Sequence, residues 1–285
     1  MEKKILLFGA SGLLGSAIKG ELILQSYDPV CPTSMDIDIT DSEALADIIE
    51  KTAPAGLINA AALINVNELE KDPRAGEKVN ARPAGAIAKI LQEKDLRIPY
   101  IFISTSYVFG NSSVPRKEDD QPSPLNAYGA SKALGERLIV EYGQDVPYFI
   151  LRTGWLYGPT RLTFVDEVVR TLREGKTYDA SVDQFGNPTS ASDFANALVT
   201  HCLVEKRARG IYHVINATPE RGVSRFDIAC EIAAIVTKPQ SLIRGSRSET
   251  IFAAKRPSAV LLNTKLPPLR DWREALRAYL TIRTA

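Results

Sequence analysis

Continuous apolar runs alternate with segments of helical spacing through the first half of the chain. Residues 4–10 ("KILLFGA") read as a strand, and 13–25 ("LLGSAIKGELILQ") carry apolar side chains at the spacing of a helix. A weak second strand is expected at 29–34, a helix at 42–52 and a clear strand at 55–62 ("AGLINAAA"). The run "DIDITD" (36–41) is expected to end a further short strand. A helix at 81–95, a strand at 99–106 ("PYIFISTS"), a helix across 127–142 and the apolar stretch 146–158 complete this half. The strands do not alternate polar with apolar, as expected where both faces are buried. Strand and helix in turn at this spacing predict an α/β fold, a doubly wound parallel sheet. Right-handed crossovers would bring every strand C-terminus to one edge, where ligands bind.

After residue 158 the pattern loosens. Helices are expected at 163–176 and 224–236, a strand at 210–216, and an amphipathic helix at 267–283; the stretch 238–258 is basic and Ser-rich. These pieces predict a smaller C-terminal α/β lobe. Residues 1–153 would form the first domain and 154–285 mostly the second, with segments near 183–217 returning to the first.

Composition narrows the function. The chain has 285 residues, 45% hydrophobic and 24% charged, with a net charge of +1. That balance gives no bulk electrostatic reason to bind nucleic acid or an anionic membrane. No apolar stretch approaches the ~20 residues that span a bilayer. The N-terminal apolar run reaches Gly9 too soon for a signal peptide. Cys31, Cys202 and Cys230 stand far apart, and the two histidines have no zinc spacing. A G-x-S-x-G motif is missing, which argues against a serine hydrolase of that kind. A reduced, cytoplasmic protein without a metal is expected.

The first chemical signal is "GASGLLG", with Gly9, Gly12 and Gly15 between the first strand and the first helix. A backbone that must approach a pyrophosphate at a helix N-terminus needs glycine there. This makes the sheet Rossmann-like and makes Gly9, Ser11, Gly12, Leu13, Leu14 and Gly15 candidate dinucleotide contacts. The second strand ends "CPTS" with no acid, so Thr33 and Ser34 are left to meet a ribose or a 2′-phosphate. That leans toward NADPH and leaves NADH open. Asp38, with Ile39 beside it, is placed to meet the adenine; Asp41 reads as a helix N-cap.

The second signal is "NAYGASK", with Tyr128 and Lys132 four residues apart on one helix face. Alone it is a weak pattern. Beside the glycine loop and the "STS" that ends the strand before it, it reads as carbonyl reduction. Thr105 would hydrogen-bond the carbonyl and Tyr128 would protonate it. Lys132 would hold the nicotinamide ribose and lower the Tyr pKa.

These motifs, with "NAAA" at 59–62, resemble the extended short-chain dehydrogenase/reductases. "INAAALINVNELEKDP", "FISTSYVFG", "RTGWLYG", "DQFGNPTSASDFA" and "KRPSAVLLNTKL" further resemble the dTDP-4-dehydrorhamnose reductase family over almost the full length. The resemblance implies Thr105, Tyr128 and Lys132 as the catalytic set. It implies Asn59, Ala60, Ala61, Ala62 and Asn80 along the cofactor. It puts Ser106, Tyr107, Val108, Trp155, Asp183, Gln184 and Arg256 toward a nucleotide-sugar substrate, and it allows a homodimer. Ser106 stands where the family usually has an aspartate, and "VFGN" replaces its "VFDG". A nucleotide-sugar epimerase, or a regulatory subunit like the β subunit of methionine adenosyltransferase, would share most of these motifs.

Overall fold

The computed structural model describes residues 3–205 and 207–284. β1 (Lys3–Phe8) passes through the glycine loop into α1 (Leu13–Leu24), then β2 (Tyr27–Val30), α2 (Ser42–Thr52) and β3 (Gly56–Asn59). Short helices α3 (Val66–Lys71) and α4 (Pro73–Gly76) and a π turn at Glu77–Ala81 lead into α5 (Arg82–Glu93). β4 (Tyr100–Thr105), a 3-10 turn at Ser106–Val108, α6 (Ala127–Tyr142) and β5 (Tyr148–Thr153) follow. The second half runs β6 (Trp155–Tyr157), α7 (Phe164–Arg173), β7 (Tyr178–Ser181), β8 (Phe185–Gly186), β9 (Pro188–Ser190) and α8 (Ala191–Leu198). After a second π turn, Val199–Val204, come β10 (Gly210–His213), β11 (Asn216–Ala217), β12 (Val223–Ser224) and α9 (Arg225–Ile235). β13 (Ile243–Ser246), α10 (Ser248–Ile251), β14 (Leu269–Asp271) and α11 (Trp272–Thr284) close the chain.

Six strands form one parallel sheet in the order β10-β5-β4-β3-β1-β2. β1 is flanked by β2 on one side and β3 on the other, so the chain reverses its direction of travel there. Such a switch point opens a crevice at the strand C-termini. The glycine loop leaves β1 at that point, and "NAAA" leaves β3 beside it.

Each face of the sheet is sealed by its own layer. Leu14, Ile18 and Leu22 of α1 pack with Phe194 and Leu198 of α8 on one side. Leu45 and Ile49 of α2, Ile87 and Leu91 of α5 and Ile139 of α6 cover the other. α8 and β10 therefore serve the large sheet although they lie in the second half of the chain. The smaller unit is α7, α9 and α11 with two-stranded ribbons, packed around Trp155, Val168, Leu172, Ile232, Trp272 and Leu276.

Two expectations change, and one unassigned segment takes regular structure. Residues 36–41 form turns and no strand, because Asp36 and Asp38 turn their carboxylates back onto their own backbone, at Thr33 and Thr40. The second strand lies earlier than expected, and 31–33 already belong to the loop. The segment 66–80, not assigned from sequence, is mostly helical and leads into a π turn at Glu77–Ala81, a local irregularity that often accompanies functional sites.

Candidate active site

The glycine loop fits a dinucleotide phosphate for separable reasons. A Cβ on Gly9 would stand 2.6 Å from the backbone of Ala60 and Ala61, and Gly9 has φ +79°. A Cβ on Gly15 would stand 2.0 Å from the Gly9 carbonyl oxygen. Those two glycines let β1, β3 and α1 close on one another. Gly12 differs: its Cβ would meet only the Gly9 carbonyl, at 3.2 Å. Gly12 is the N-cap of α1 and supplies no side-chain cap, and the first turn holds no acid. The free N–H groups of that turn, with the positive end of the helix dipole, suit an anion.

Around the loop, Asn59 is buried and its side-chain oxygen accepts from the N–H of Ala61. Ser11 is exposed, while Leu13, Ala60, Ala61 and Ala62 are half-buried along the crevice. Leu14 turns its side chain into the core, so only its backbone is left for a ligand. Thr33 and Ser34 are exposed, but both donors of Thr33 are held by Asp36, at 2.8 and 2.7 Å. An acid therefore does stand in this loop. Asp38 accepts from Thr40, and Ile39 is half-buried beside it.

Asn80 needs a correction. Its side chain is 1% exposed and all its bonds are internal: it accepts from Leu63 N and donates to Leu63 O and Ser131 Oγ. It clamps the loop after β3 to α6 rather than presenting its amide to a cofactor.

The candidate reacting groups converge at the end of β4. Thr105 is the last residue of that strand, and its hydroxyl accepts from Tyr107 N at 3.2 Å. The same hydroxyl is close enough to the Tyr128 phenol to act on its proton affinity. Tyr128 reaches it because α6 begins hard against the 3-10 turn. Asn126 caps the helix by accepting from Gly129 N at 2.8 Å. A Cβ on Gly129 would stand 2.0 Å from the Tyr107 carbonyl oxygen, so glycine is what permits the approach. Tyr107 and Tyr128 meet edge to face, with ring centroids 6.0 Å apart.

One turn on, Lys132 is 2% exposed, its Nζ 3.9 Å from the centre of the Phe102 ring. Burial pulls its pKa down to about 7, and the nearby Glu136 carboxylate opposes that shift. The Tyr128 phenol goes the other way, pushed up to about 12 by burial, with the Thr105 bond opposing. The expectation that Lys132 lowers the Tyr pKa is thus not met in the protein alone. Desolvation of the phenolate dominates, and Lys132 is not among the groups that act on it.

The substrate side is more aromatic than the sequence reading supposed. Trp155 is 7% exposed, with Arg225 laid against its ring at 4.3 Å and against Phe164 at 4.2 Å. A Cβ on Gly186 would press the Trp155 ring at 2.9 Å. Gln184 is buried, donates loosely to Tyr107 OH at 3.5 Å and accepts from Arg225 Nε at 3.4 Å. Arg256 stacks on Phe252 at 4.8 Å, and its buried Nε is without a partner among the described residues. Arg256 is close enough for its charge to act against that of Arg225. Two cations and a bare guanidinium donor beside stacked rings suit an anionic group joined to a planar one.

Ser106 and Tyr107 are buried in the 3-10 turn, and Asp183 is half-buried, accepting from Ser248 N at the start of α10. Val108 is a second correction. It is fully buried with Phe109, Ile215, Ala259 and Leu261, so it packs the joint between the two units. Arg225 was missed in the sequence because it follows a helix cap, Ser224, and carries no motif of its own.

Sheet order, glycine loop and the Thr105–Tyr128–Lys132 set define a Rossmann-type oxidoreductase of the short-chain dehydrogenase/reductase class. The chain belongs to the RmlD substrate binding domain family, which matches residues 3–284. It is 32% identical to dTDP-4-dehydrorhamnose reductase of Mycolicibacterium smegmatis over 97% of this chain and 85% of that one. It is 30% identical to dTDP-4-keto-6-deoxy-D-glucose reductase of Streptomyces niveus, covering 97% and 96%. Among solved structures, dTDP-4-dehydrorhamnose reductase of Bacillus anthracis in complex with NADP superposes with a TM-score of 0.89 at 28% identity, covering 99% of this chain and 100% of that one.

Proposed function

We propose that this protein uses NADPH to reduce the 4-keto group of a dTDP-linked 6-deoxy sugar, taking dTDP-4-dehydrorhamnose to dTDP-L-rhamnose. The observation that carries the reading is that Thr105 ends β4 while α6 brings Tyr128 and Lys132 hard against the turn that follows it, Tyr128 edge to face with Tyr107. Full-length similarity to named dTDP-sugar reductases supports the substrate class.

When bound, NADPH supplies the hydride. The free N–H groups at the start of α1 would hold its phosphates, with Gly12 leaving room. Thr105 would bond the sugar's keto oxygen and fix it against Tyr128. Tyr128 would give its proton to that oxygen as negative charge develops on it. A high phenol pKa suits the donor: the proton is present throughout the neutral range. Lys132 would hold the ribose hydroxyls and stabilise the phenolate left behind. Arg225 and Arg256 would take the diphosphate, and Trp155 with Phe164 would shape the site next to it.

No described helix is long and apolar enough to cross a membrane. The three thiols are free, which fits a reducing compartment, and we place the reaction in the cytoplasm.

Tyr128→Phe tests the reading. The ring still packs against Tyr107, so the fold and NADPH affinity should persist. Single-turnover oxidation of NADPH with dTDP-4-dehydrorhamnose should slow by about 10²–10⁴-fold, the usual contribution of a positioned general acid. Wild-type protein that binds NADPH yet reduces none of a panel of 4-keto nucleotide sugars would sink the enzymatic reading.

A further inference from the structure

Beneath the proposed active site lies a sealed ion pair that the chemistry above does not use. Arg152, on β5, is 1% exposed at its side chain, and Glu136, on α6, is 4% exposed. Arg152 Nη2 donates to Glu136 Oε2 at 2.6 Å, and Nε reaches both carboxylate oxygens at 3.0 and 3.2 Å. Ser104 Oγ donates to the same carboxylate. Arg152 Nη1 donates to the Glu118 carbonyl at 3.1 Å, and the Glu118 carboxylate accepts from Thr264 N and Oγ1. Such a pair is poor evidence of a stabilising role, because dehydrating both charges costs about what their attraction returns. Its position gives a better account. Glu136 stands four residues after Lys132, on the same face of α6.

We infer that Glu136 is a positioning residue of the reaction, a buried carboxylate that keeps Lys132 a cation and so able to hold the cofactor ribose. The inference rests on the role proposed for Lys132. Buried, with 2% of its surface exposed, the Lys132 ammonium lies over the Phe102 ring face. The groups facing it are few. Its own helix supplies Tyr128 and Glu136. Tyr100, Phe102 and Ser104 share one face of β4. Of these Tyr100 is titratable, and burial keeps its phenol neutral, donating to Ala84 O. β5 supplies Arg152, which pairs with Glu136 and is not among the charges that act on Lys132. The π turn and α5 present Asn80, Ala84 and Ile87; Glu77 pairs with Arg82 at the surface, and Lys78 acts on Asp38. Glu136 is therefore the anion that acts on Lys132, and it raises the lysine's proton affinity against the pull of burial. Arg152 and Ser104 hold that carboxylate in place.

The pH dependence gives the test, and the sign is fixed. If Lys132 works as a cation, function falls as pH rises through its pKa. Removing the carboxylate lowers that pKa, so the fall should begin at lower pH. Glu136→Gln alone strands the Arg152 charge inside the protein, so the measured variant is E136Q/R152M, which removes both charges at similar volume. NADPH affinity by fluorescence titration and kcat/KM are followed from pH 5.5 to 9 for wild type, E136Q/R152M, E136D and K132A. For E136Q/R152M the midpoint of both curves should move at least about one pH unit lower, with about tenfold weaker NADPH binding at pH 8. E136D keeps the charge and should keep the wild-type midpoint even where packing loss lowers its Tm. K132A should bind NADPH weakly with no such midpoint. A wild-type midpoint in folded E136Q/R152M, with K132A impaired, overturns the inference and leaves Glu136 structural. A K132A variant that matches wild type in both affinity and turnover overturns the role of Lys132 itself, and the inference with it.

Discussion

At the scale of single residues, the three glycines of one loop do different work, and the motif does not say so. Gly9 and Gly15 answer to the protein, since any Cβ there would strike backbone. Gly12 answers to the ligand, since a Cβ there meets only one carbonyl oxygen at a tight 3.2 Å. Gly12→Val should therefore fold and keep a circular dichroism spectrum like wild type, yet lose most NADPH affinity by fluorescence titration. Undiminished affinity would reduce the loop to a turn. The same lesson holds for polar residues. Asn59 and Asn80 both read as cofactor-lining, but every polar contact of Asn80 is internal. Thr33 reads as free for a 2′-phosphate, but its donors are given to Asp36. A hydrogen-bond donor is visible in sequence; whether a neighbour has already taken it is not.

At the scale of elements, the helix and strand assignments of the first half come close because the apolar patterns there are long and uninterrupted. α6 occupies the 127–142 read from sequence. Its start is fixed by Asn126, whose amide nitrogen also donates to Lys255 O and so ties α6 to the "KRPS" loop. The short ribbons β6 to β9 and helix α8 have no comparable pattern. α9 shows how much a cap can matter. Ser224 and Asp227 form a reciprocal capping box, and the first residue of the helix is Arg225, the guanidinium stacked between Trp155 and Phe164. Ser224→Ala should cost about 1 kcal/mol of stability. Because Arg225 sits in that first turn, the variant should also raise KM for the nucleotide sugar while NADPH affinity stays as in wild type. Steady-state kinetics with each substrate varied separately would show it, and an unchanged KM would detach Arg225 from the substrate.

At the scale of the whole molecule, the site is assembled across both halves of the chain, and its burial has a cost. Lys132 is pulled down to about 7 from an ordinary 10.5. Between those values the unfolded chain binds more protons than the folded one, so this group's contribution makes stability rise with pH. Tyr128, raised to about 12 from 10.0, acts in the opposite sense above pH 10. Lys132→Met should thus be more stable than wild type at pH 7, by roughly 2–4 °C in Tm for each kcal/mol regained. The advantage should shrink as pH approaches 10, while catalysis is lost. Denaturant melts at pH 7, 8.5 and 10 would decide it; a variant less stable than wild type at pH 7 would mean the lysine's contacts outweigh its dehydration. The sequence by itself determined the parallel sheet, the glycine loop at its first turn and the Thr105, Tyr128 and Lys132 constellation. Those features rest on local periodicity and on residues close together along the chain. Only the tertiary structure decided that Arg225 lies between two rings, and that Glu136 and Arg152 form a sealed pair under the lysine. Burial, pKa and the occupation of donors depend on neighbours distant in sequence, and no local pattern carries that information.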